Sequence, residues 1–564
     1  MSWGPDRWRV YGLALQEAVR AGSRAVRIRW PAFAVRAPER LLLAPQDLRT
    51  ADPTVAEHIY AGHYVFAAKG VEAGGGSPFA IRPPSRAWAQ GLYGFGWLRH
   101  LRAADTALAR SNARALVDDF LTRGPARWRS ARETRVVARR LISFLAQSPL
   151  LLDGADHAFY RRFLRSLAQA ARELEADLRA GGQPLPRLDA AIALAYAGLC
   201  CEGWDPLLRR ASRLLARELD RQILPDGGHV SRSPRASFDL LLDLLPLRQT
   251  YASRGVEPPE ALLRAIDRML PLLRLFRHGD GAMARFNGMG VSEVDHLATL
   301  LVYAQATGEP IRHAPHAGYE RLEAGGTLVI AEVGPAPPVH ASPEAHAGCL
   351  SFELSSGLYH IVVNCGAPQG DDLRQAARET AAHSTAEVGD LSTCRFLFPR
   401  GPRRLSIGRW LRRRIGPVVL HGPETVPAKV DRQPAGATLV ASHDGYRRLG
   451  VAHERRWRLS GNGERLEGED AVTGAARREP VRIRFHLHPG VRASRVQGGH
   501  AVLLMLPNGE AWQFESSLPE AALEDSLFLA GAEGVRRTEQ IVLTTAVGAE
   551  PVRWSFERLT RAKA

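Results

Sequence analysis

The first half of the chain carries a repeating helical pattern of apolar residues. Up to about residue 318, apolar side chains recur at i, i+3, i+4 and i+7 in long windows separated by Pro- or Gly-marked breaks. The clearest windows are residues 108–123, 138–152, 159–180, 187–201, 206–223, 236–255, 258–277 and 294–308. Helices joined by short connections tend to pack antiparallel. An even series of such hairpins predicts an α/α toroid or solenoid.

After residue 318 the pattern changes to alternation of apolar and polar residues, which is typical of β-strands. Two clear segments are GTLVIAEVG (326–334) and PVRIRFHLHPGV (480–491). Turn pairs such as Asn462-Gly463 separate the strands, as in β-hairpins. Eight or more strands at this spacing favour an antiparallel sandwich.

Together the two patterns predict an α+β multidomain chain. An N-terminal (α/α) toroid or incomplete barrel is followed by a C-terminal antiparallel β-sandwich. We place an extension with an amphipathic helix at 1–84, the toroid at 85–317 and the sandwich at 318–564. The length of 564 residues agrees with more than one hydrophobic core.

The net positive charge of the chain suggests a class of binding partner. The formal net charge is +16, mostly from arginine, and the run at 400–414 is especially basic. Such a field attracts polyanions: nucleic acid, anionic lipid or acidic polysaccharide. Solvated surface arginine explains the same total without any partner. Zinc-finger and helix-turn-helix signatures are absent, so nucleic acid is not the expected partner.

The sequence predicts a soluble cytoplasmic chain. No stretch approaches the length of uncharged apolar sequence that a transmembrane helix needs. The first thirty residues alternate apolar and basic side chains, and they lack the apolar core of a secretory signal. The five cysteines are irregularly spaced and include no CxxC pair, so neither a disulfide framework nor a cysteine-based metal motif is expected.

Several motifs occur in a recognisable order. They are LYGFGWLRHL (92–101), ILPDGGHVSRSP (223–234), HAGCLSFEL (346–354), RETAAHST (378–385) and FHLHPGV (485–491). With the order of the two domains, these motifs make the chain resemble the heparinase II/III-like family over roughly residues 85–560. The resemblance implies a helical toroid followed by a β-sandwich. It also implies a location in the periplasm or cell envelope, in contrast to the cytoplasmic expectation.

The resemblance implies a carbon–oxygen lyase that performs β-elimination on a uronic-acid polysaccharide. In this reaction a base removes the weakly acidic C5 proton, and an acid protonates the leaving glycosidic oxygen. The neighbouring carboxylate must be neutralised to stabilise the developing enolate. Histidine and tyrosine suit the proton transfers, and arginine or asparagine suits the carboxylate.

The motifs depart from the family pattern at the positions where catalysis is expected. An Asn or Asn-His pair is expected in a helical hairpin loop, where residues 182–183 read Gly-Gln. A tyrosine is expected shortly after the SP of the second motif, where residues 236–237 read Ala-Ser. The first histidine of an H-x-H motif corresponds to Glu344, and an expected aspartate corresponds to Gly348. The known lyase machinery is therefore incomplete in this chain.

Two histidines remain candidates for proton transfer. His229 lies in a Gly-rich loop before a predicted helix, where the helix N-terminus keeps the imidazole neutral. His346 matches the second histidine of the H-x-H motif. Either residue could equally be a structural loop or core histidine.

Four further residues are candidates for binding substrate carboxylates. Arg232 lies beside the His229 loop, Arg285 and Asn287 lie in the RFNGMG loop, and Arg378 opens the RETAAHST motif. An Asn-Gly turn alone would explain Asn287, and an internal ion pair would explain Arg378.

In family members that bind zinc, the resemblance assigns the ligands to positions that match His346, Asn364 and His383. A structural zinc ion is therefore a possible cofactor, and no other cofactor is expected. Asn364 offers a neutral amide where the family has a carboxylate, which makes a poorer zinc ligand. Without metal, the two histidines would brace the sandwich against the toroid.

Three hypotheses follow. The first is a lyase that acts on an acidic polysaccharide. The second is a non-catalytic acidic-glycan-binding or scaffold protein that kept the lyase fold and lost the catalytic Asn-His and Tyr set. The third is an arginine-rich protein that binds polyanions or a membrane surface.

Overall fold

The computed structural model of the protein describes residues 7–29, 36–181, 183–305, 308–370, 372–397, 405–476, 479–496 and 499–560. Its α-helices are α1 (Arg7–Arg29), α2 (Thr54–Tyr60), α3 (Arg86–Gly94), α4 (Leu98–Ala104), α5 (Ala107–Arg123), α6 (Thr134–Ala146), α7 (Ser148–Leu152), α8 (His157–Arg179), α9 (Pro184–Cys200), α10 (Asp205–Gln222), α11 (Pro234–Ser253), α12 (Glu260–Leu275), α13 (Val294–Tyr303) and α14 (Leu405–Ile415). All but α14 precede the main sheets.

Local sequence signals explain where the long helices begin. Side-chain oxygens of Thr106, Asp156 and Ser233 accept hydrogen bonds from backbone N–H groups in the first turns of α5, α8 and α11. The apolar faces of α3–α13 share one buried core that includes Leu141, Leu194 and Leu241. This core holds the helical domain together.

The strands in chain order are β1 (His63–Phe66), β2 (Lys69–Glu72), β3 (His313–Ala314), β4 (Tyr319–Ala324), β5 (Thr327–Glu332), β6 (Phe352–Ser356), β7 (Tyr359–Val363), β8 (Ala386–Val388), β9 (Arg395–Phe396), β10 (Val419–His421), β11 (Ala428–Gln433), β12 (Gly436–His443), β13 (Val451–Ser460), β14 (Arg465–Gly474), β15 (Pro480–Leu487), β16 (Arg492–Arg495), β17 (Ala501–Met505), β18 (Ala511–Ser516), β19 (Ala522–Phe528), β20 (Arg536–Ala546) and β21 (Val552–Thr560).

Two large antiparallel sheets form the C-terminal domain. Sheet A has the order β11-β12-β13-β14-β21-β18-β17-β16. Sheet B has the order β19-β20-β15-β7-β6-β5-β4-β3, with β8 also paired to β15. Side chains from both sheets, including Phe352, Trp457 and Phe485, form a second core between them. The predicted antiparallel sandwich is therefore confirmed.

Sheet B has its other face against the helical domain. Leu328 and Ile330 of β5 belong to the helical core, whereas Val329 and Ala331 belong to the sandwich core. Every residue of β5 is buried, because successive side chains point to opposite faces and both faces are covered. Glu332, at an even position of this strand, therefore faces the helical domain.

The helical pattern under-predicted the number of helices. The window at 138–152 contains both α6 and α7, which are separated at Gln147, ahead of Pro149. The helices α3, α4 and α7 have 9, 7 and 5 residues. Segments of this length are too short to display the periodicity that identifies longer helices.

Helix α1 packs on α14 and on α8. Val10 of α1 shares a small cluster with Leu411 of α14. The Arg-rich run predicted at 400–414 continues into α14, and its residues 400–404 lie outside the described part of the chain. Among the described residues, no helix is long and apolar enough to cross a membrane.

Candidate functional site

Two histidines from separate motifs meet in a buried site beside sheet B. His346 lies in the loop before β6 and His383 in the loop before β8, and the nitrogens His346 Nδ1 and His383 Nε2 are 3.0 Å apart. His383 Nδ1 donates to the Glu379 carbonyl at 2.8 Å, so Nε2 of this neutral ring accepts the proton of His346 Nδ1. Burial lowers the pKa of His383 to about 4 and that of His346 further below its ordinary value. Both rings are therefore neutral near pH 7.

Asn364 is fully buried near the end of β7. Its Oδ1 accepts a hydrogen bond from the Ser384 N–H at 3.0 Å, and its Nδ2 has no hydrogen-bond partner among the described residues. Zinc would have to replace the hydrogen bond between His346 and His383, and it would find an amide oxygen that is already engaged. These residues fit zinc poorly. The predicted zinc ligation by His346, Asn364 and His383 stays a prediction.

Asn287 connects the helical domain to this site. It lies in the loop between α12 and α13, in the left-handed backbone region with φ of 43°. Its Nδ2 donates to Tyr319 Oη at 2.8 Å and to Glu332 Oε1 at 2.7 Å, and its Oδ1 accepts from the His346 N–H at 2.9 Å. Every polar atom of the amide is thus occupied by the protein itself.

Glu332 is the site residue that the sequence analysis missed. This carboxyl ends β5, faces the helical domain, and is 6% exposed. Burial raises its pKa to about 7, although the hydrogen bond from Asn287 and the charge of Arg232 act in the opposite direction. A buried carboxyl that titrates near neutral pH is a typical general acid or base. An acidic residue ending an otherwise apolar strand was the only sequence signal.

Gly348 provides the space that Glu332 and His383 occupy. A Cβ atom at this glycine would lie 2.6 Å from His383 Cδ2 and 3.0 Å from Glu332 Oε2. The aspartate that the family pattern places here would collide with both side chains. In this chain the position therefore has no room for an aspartate side chain.

The side chains of the three candidate arginines form hydrogen bonds with other residues of this chain. Arg378 is 2% exposed and donates to the carbonyls of Ala345, Pro417 and Ser342 at 2.7, 2.6 and 3.1 Å. Burial lowers its pKa to about 10. The guanidinium of Arg285 is 3.3 Å from Glu353 Oε2 and lies over the Phe528 ring. Arg232 donates to the Pro335 carbonyl. Their predicted role in binding substrate stays untested.

His229 lies in a different environment from the His346–His383 pair. Its Nδ1 is 2.6 Å from Ser231 Oγ, and its Nε2 is 3.3 Å from Gln222 Oε1. The amide oxygen fixes the proton on Nε2, so Nδ1 accepts from the serine hydroxyl. Burial lowers the pKa of His229 to about 3, which keeps the ring neutral. Both ring nitrogens therefore form hydrogen bonds within the protein. Catalysis by His229 remains a prediction.

A helical toroid followed by an antiparallel sandwich, with a buried His–Asn–Glu site where they meet, defines a protein of the polysaccharide-lyase fold. The family model described as "Heparinase II/III-like, C-terminal" matches residues 306–557 of this chain. FtsZ-localized protein C of Caulobacter vibrioides is 32% identical over 94% of this chain and 92% of that protein. The chain belongs to the heparinase II/III-like family.

Solved structures confirm the fold. A crystal structure of heparinase III superposes with a TM-score of 0.71 at 13% identity, covering 100% of this chain and 93% of the other. A mutant of the heparan sulfate lyase HepC from Pedobacter heparinus gives a TM-score of 0.61 at 15% identity, covering 98% and 88%. At this identity the likeness establishes the toroid-plus-sandwich fold, while the chemistry depends on this chain's own residues.

Proposed function

We propose that this chain is a non-catalytic binding protein built on the lyase fold. The observation that carries the proposal is that the candidate catalytic and carboxylate-binding groups are buried or, for Arg232, half-buried, and hydrogen-bonded to their own protein. Asn287 and Arg378 are 1% and 2% exposed, and the hydrogen bonds of both side chains go to other residues of the chain. A polyanionic substrate would have to break these bonds before it could bind them.

The proposal extends to the place where the protein acts. The curated relative that matches along nearly its whole length is named for localisation to FtsZ. A likeness of 32% over 94% of the chain supports the same location for this protein. Association with FtsZ requires a binding surface and no elimination chemistry, in agreement with the incomplete lyase motifs.

An ultraviolet assay across uronate polysaccharides tests the absence of catalysis. Elimination produces an unsaturated uronate, which absorbs in the ultraviolet. We expect no such product from the wild-type protein with any of the glycans, whereas an active heparinase III in the same buffer gives a steady signal. The expected result follows from the missing catalytic positions and the occupied arginines.

The competing candidate is a lyase with an altered catalytic set. Glu332 favours it, because a buried carboxyl whose pKa is raised to about 7 could exchange the C5 proton. Product that forms with the wild-type protein and disappears in both Glu332→Gln and His346→Ala would establish this lyase and overturn the proposal. Product that survives in both variants would indicate a contaminating enzyme.

The surface that best supports a binding role is the outer face of α1. Trp8, Tyr11, Leu15 and Val19 are 80%, 47%, 66% and 64% exposed and line one stripe of the helix. The opposite face, which includes Val10, is buried against α14. An apolar stripe with aromatic residues is typical of helices that lie in a membrane interface.

Basic residues also lie on the helix that packs against α1. Helix α14, which packs on α1, ends in Arg412, Arg413 and Arg414. Each basic residue near an anionic bilayer contributes about 1 kcal/mol of attraction. The apolar stripe favours an anionic membrane over an acidic glycan as the partner, because a glycan offers no acyl chains.

Vesicle co-sedimentation tests this surface. We expect the full-length protein to sediment with vesicles that contain anionic lipid, and to carry added FtsZ polymers with it. The double variant Trp8→Glu, Leu15→Glu should lose at least tenfold in vesicle affinity, since each charge would enter the apolar interface.

Leu108→Glu is the matched control, because Leu108 is an apolar residue that is 59% exposed on a different helix, α5. It should bind vesicles as the wild type does. Equal binding by the double variant and the wild type would contradict the role of α1. Salt-sensitive binding to acidic polysaccharide without vesicle binding would favour the glycan-binding alternative.

A further inference from the structure

A second cluster of ionisable side chains lies on the face of sheet B that meets the helical domain. His278, Glu353 and His360 are 2%, 0% and 3% exposed, and each offers one ligand atom, with all three atoms within 4.8 Å of one another. These residues are distinct from the His346–His383 pair. No step of the proposed function uses them.

Two structural elements bring the cluster together. His278 lies in the turn after α12, and Glu353 and His360 lie on the neighbouring strands β6 and β7. Gly279 allows the turn to dock on the β6–β7 hairpin, because a Cβ atom there would lie 2.0 Å from the carbonyl oxygen of Gly357. The cluster therefore spans the boundary between the helical and sandwich domains.

Each histidine has one ring nitrogen held in place and the other without a hydrogen-bond partner among the described residues. His278 Nδ1 is 2.8 Å from Ser355 Oγ, and His360 Nε2 is 3.0 Å from Asp280 Oδ2. His278 Nε2 and His360 Nδ1 are the unpartnered nitrogens. Buried polar atoms without partners are rare, and a carboxylate that orients the second nitrogen is typical of metal-binding histidines.

The distances fit a metal ion. His278 Nε2 is 3.2 Å from Glu353 Oε2 without hydrogen-bond geometry. Two ligands at about 2.1 Å from a tetrahedral zinc ion are about 3.4 Å apart.

Charges around the cluster also favour a cation. Glu353 and Asp280 carry negative charge, and Arg285 Nη1 lies 3.3 Å from Glu353 Oε2 as the counter-charge. The Arg285 guanidinium also lies over the Phe528 ring at 4.8 Å, where it stays stabilised if the ion takes the carboxylate oxygen. His488 stacks on His360 with ring centroids 5.3 Å apart and closes that side.

We infer that His278, Glu353 and His360 bind a divalent transition-metal ion of the zinc class. Two imidazoles and one carboxylate form an established ligand set for zinc. The ion would join a turn of the helical domain to two strands of the sandwich and so fix the two domains to each other. Asp280, whose side chain is 35% exposed, would orient His360 at the edge of the site.

Metal titration of the full-length protein tests the inference. Chelator-treated protein is titrated with Zn²⁺ by calorimetry and with Co²⁺ by its visible ligand-field absorption. We expect about one ion per chain, together with a higher thermal midpoint when Zn²⁺ is present. His360→Ala should lose the ion, and Asp280→Asn should weaken affinity roughly 10–100-fold.

His383→Ala separates this site from the zinc site that the family resemblance implies. It removes the other histidine pair and should keep the ion. An ion lost in His383→Ala and kept in His360→Ala would overturn the inference, as would a wild type that binds neither metal. Should His360→Ala fail to fold by circular dichroism, Asp280→Asn decides: unchanged Zn²⁺ affinity in that variant contradicts the site.

Discussion

Replacing Asp470 with alanine is expected to lower the free energy of unfolding by about 3–5 kcal/mol, since it leaves a buried charge without its partner. Arg455 and Asp470 are 0% and 2% exposed, and the guanidinium makes two hydrogen bonds to the carboxylate, at 2.7 and 3.0 Å. Asp470 also accepts hydrogen bonds from His453 and Trp554. Its removal leaves four N–H donors of three buried side chains without their acceptor.

The same arginine supports the candidate site. Arg455 Nη1 donates to the carbonyls of Leu350 and Ser384 at 3.0 and 2.8 Å. These residues lie in the loops that carry His346 and His383. Loss of Asp470 should therefore loosen the histidine pair as well as the sandwich. Near-ultraviolet circular dichroism during urea unfolding reports the loss, because Arg455 lies against Trp457 and Trp554.

Glu467→Ala is the matched control for this experiment. Glu467 lies on the same strand, β14, and faces Arg458 at 3.8 Å, but the two side chains are 43% and 63% exposed. Exposed ion pairs contribute about 0–1 kcal/mol, so this variant should unfold near the wild-type midpoint. Asp470→Asn, which keeps the shape and removes the charge, should fall between the two. Similar losses in Asp470→Ala and Glu467→Ala would contradict the buried-charge argument.

The change from helical to alternating periodicity predicts the two domains, because each pattern depends only on residues that are close together in the sequence. The strand β5 shows the limit of this approach. Both of its faces are buried, so its sequence does not alternate between apolar and polar residues as a strand with one exposed face does. Burial of sheet B on its second face depends on helices distant in the sequence. Local pattern cannot reveal it.

The site was only partly predictable for the same reason. His346 and His383 were found because they belong to motifs, but their 3.0 Å contact joins residues separated by 37 positions. Glu332 and Asn287 are 45 positions apart, and the pKa of Glu332 depends on burial that only the fold creates. The sequence identified the residue types of the site, but it could not show which side chains contact each other or which of them are protonated.

The contribution of Glu332 to stability is expected to fall as pH rises from 4.5 to about 7. Burial raises the pKa of this carboxyl from 4.5 in the unfolded chain to about 7 in the folded protein. In this window the folded state keeps a proton that the unfolded state has released, so each increase in pH favours unfolding. A shift of this size corresponds to a cost on the order of 3 kcal/mol above pH 7.

Glu332→Gln should remove this dependence, because the amide stays neutral and its oxygen can still accept the hydrogen bond from Asn287. We expect the variant to gain about 1–3 kcal/mol over the wild type at pH 8 and little at pH 4. Urea unfolding in chelator across this range measures the difference, free of any contribution from bound metal. An unchanged slope in Glu332→Gln would show that this carboxyl does not titrate between the two values.

Glu353→Gln supplies a control of opposite sign on the adjacent strand. Burial works against ionisation of Glu353, but the Arg285 charge and the contact with His278 outweigh it and lower the pKa to about 2. Its carboxylate therefore stabilises the fold above pH 4.5, and this stability is lost as pH falls through about 2. Glu353→Gln should be less stable than the wild type at pH 8, where Glu332→Gln is more stable. Two buried glutamates on paired strands would then affect stability in opposite directions, because one lies beside a guanidinium and the other beside an amide.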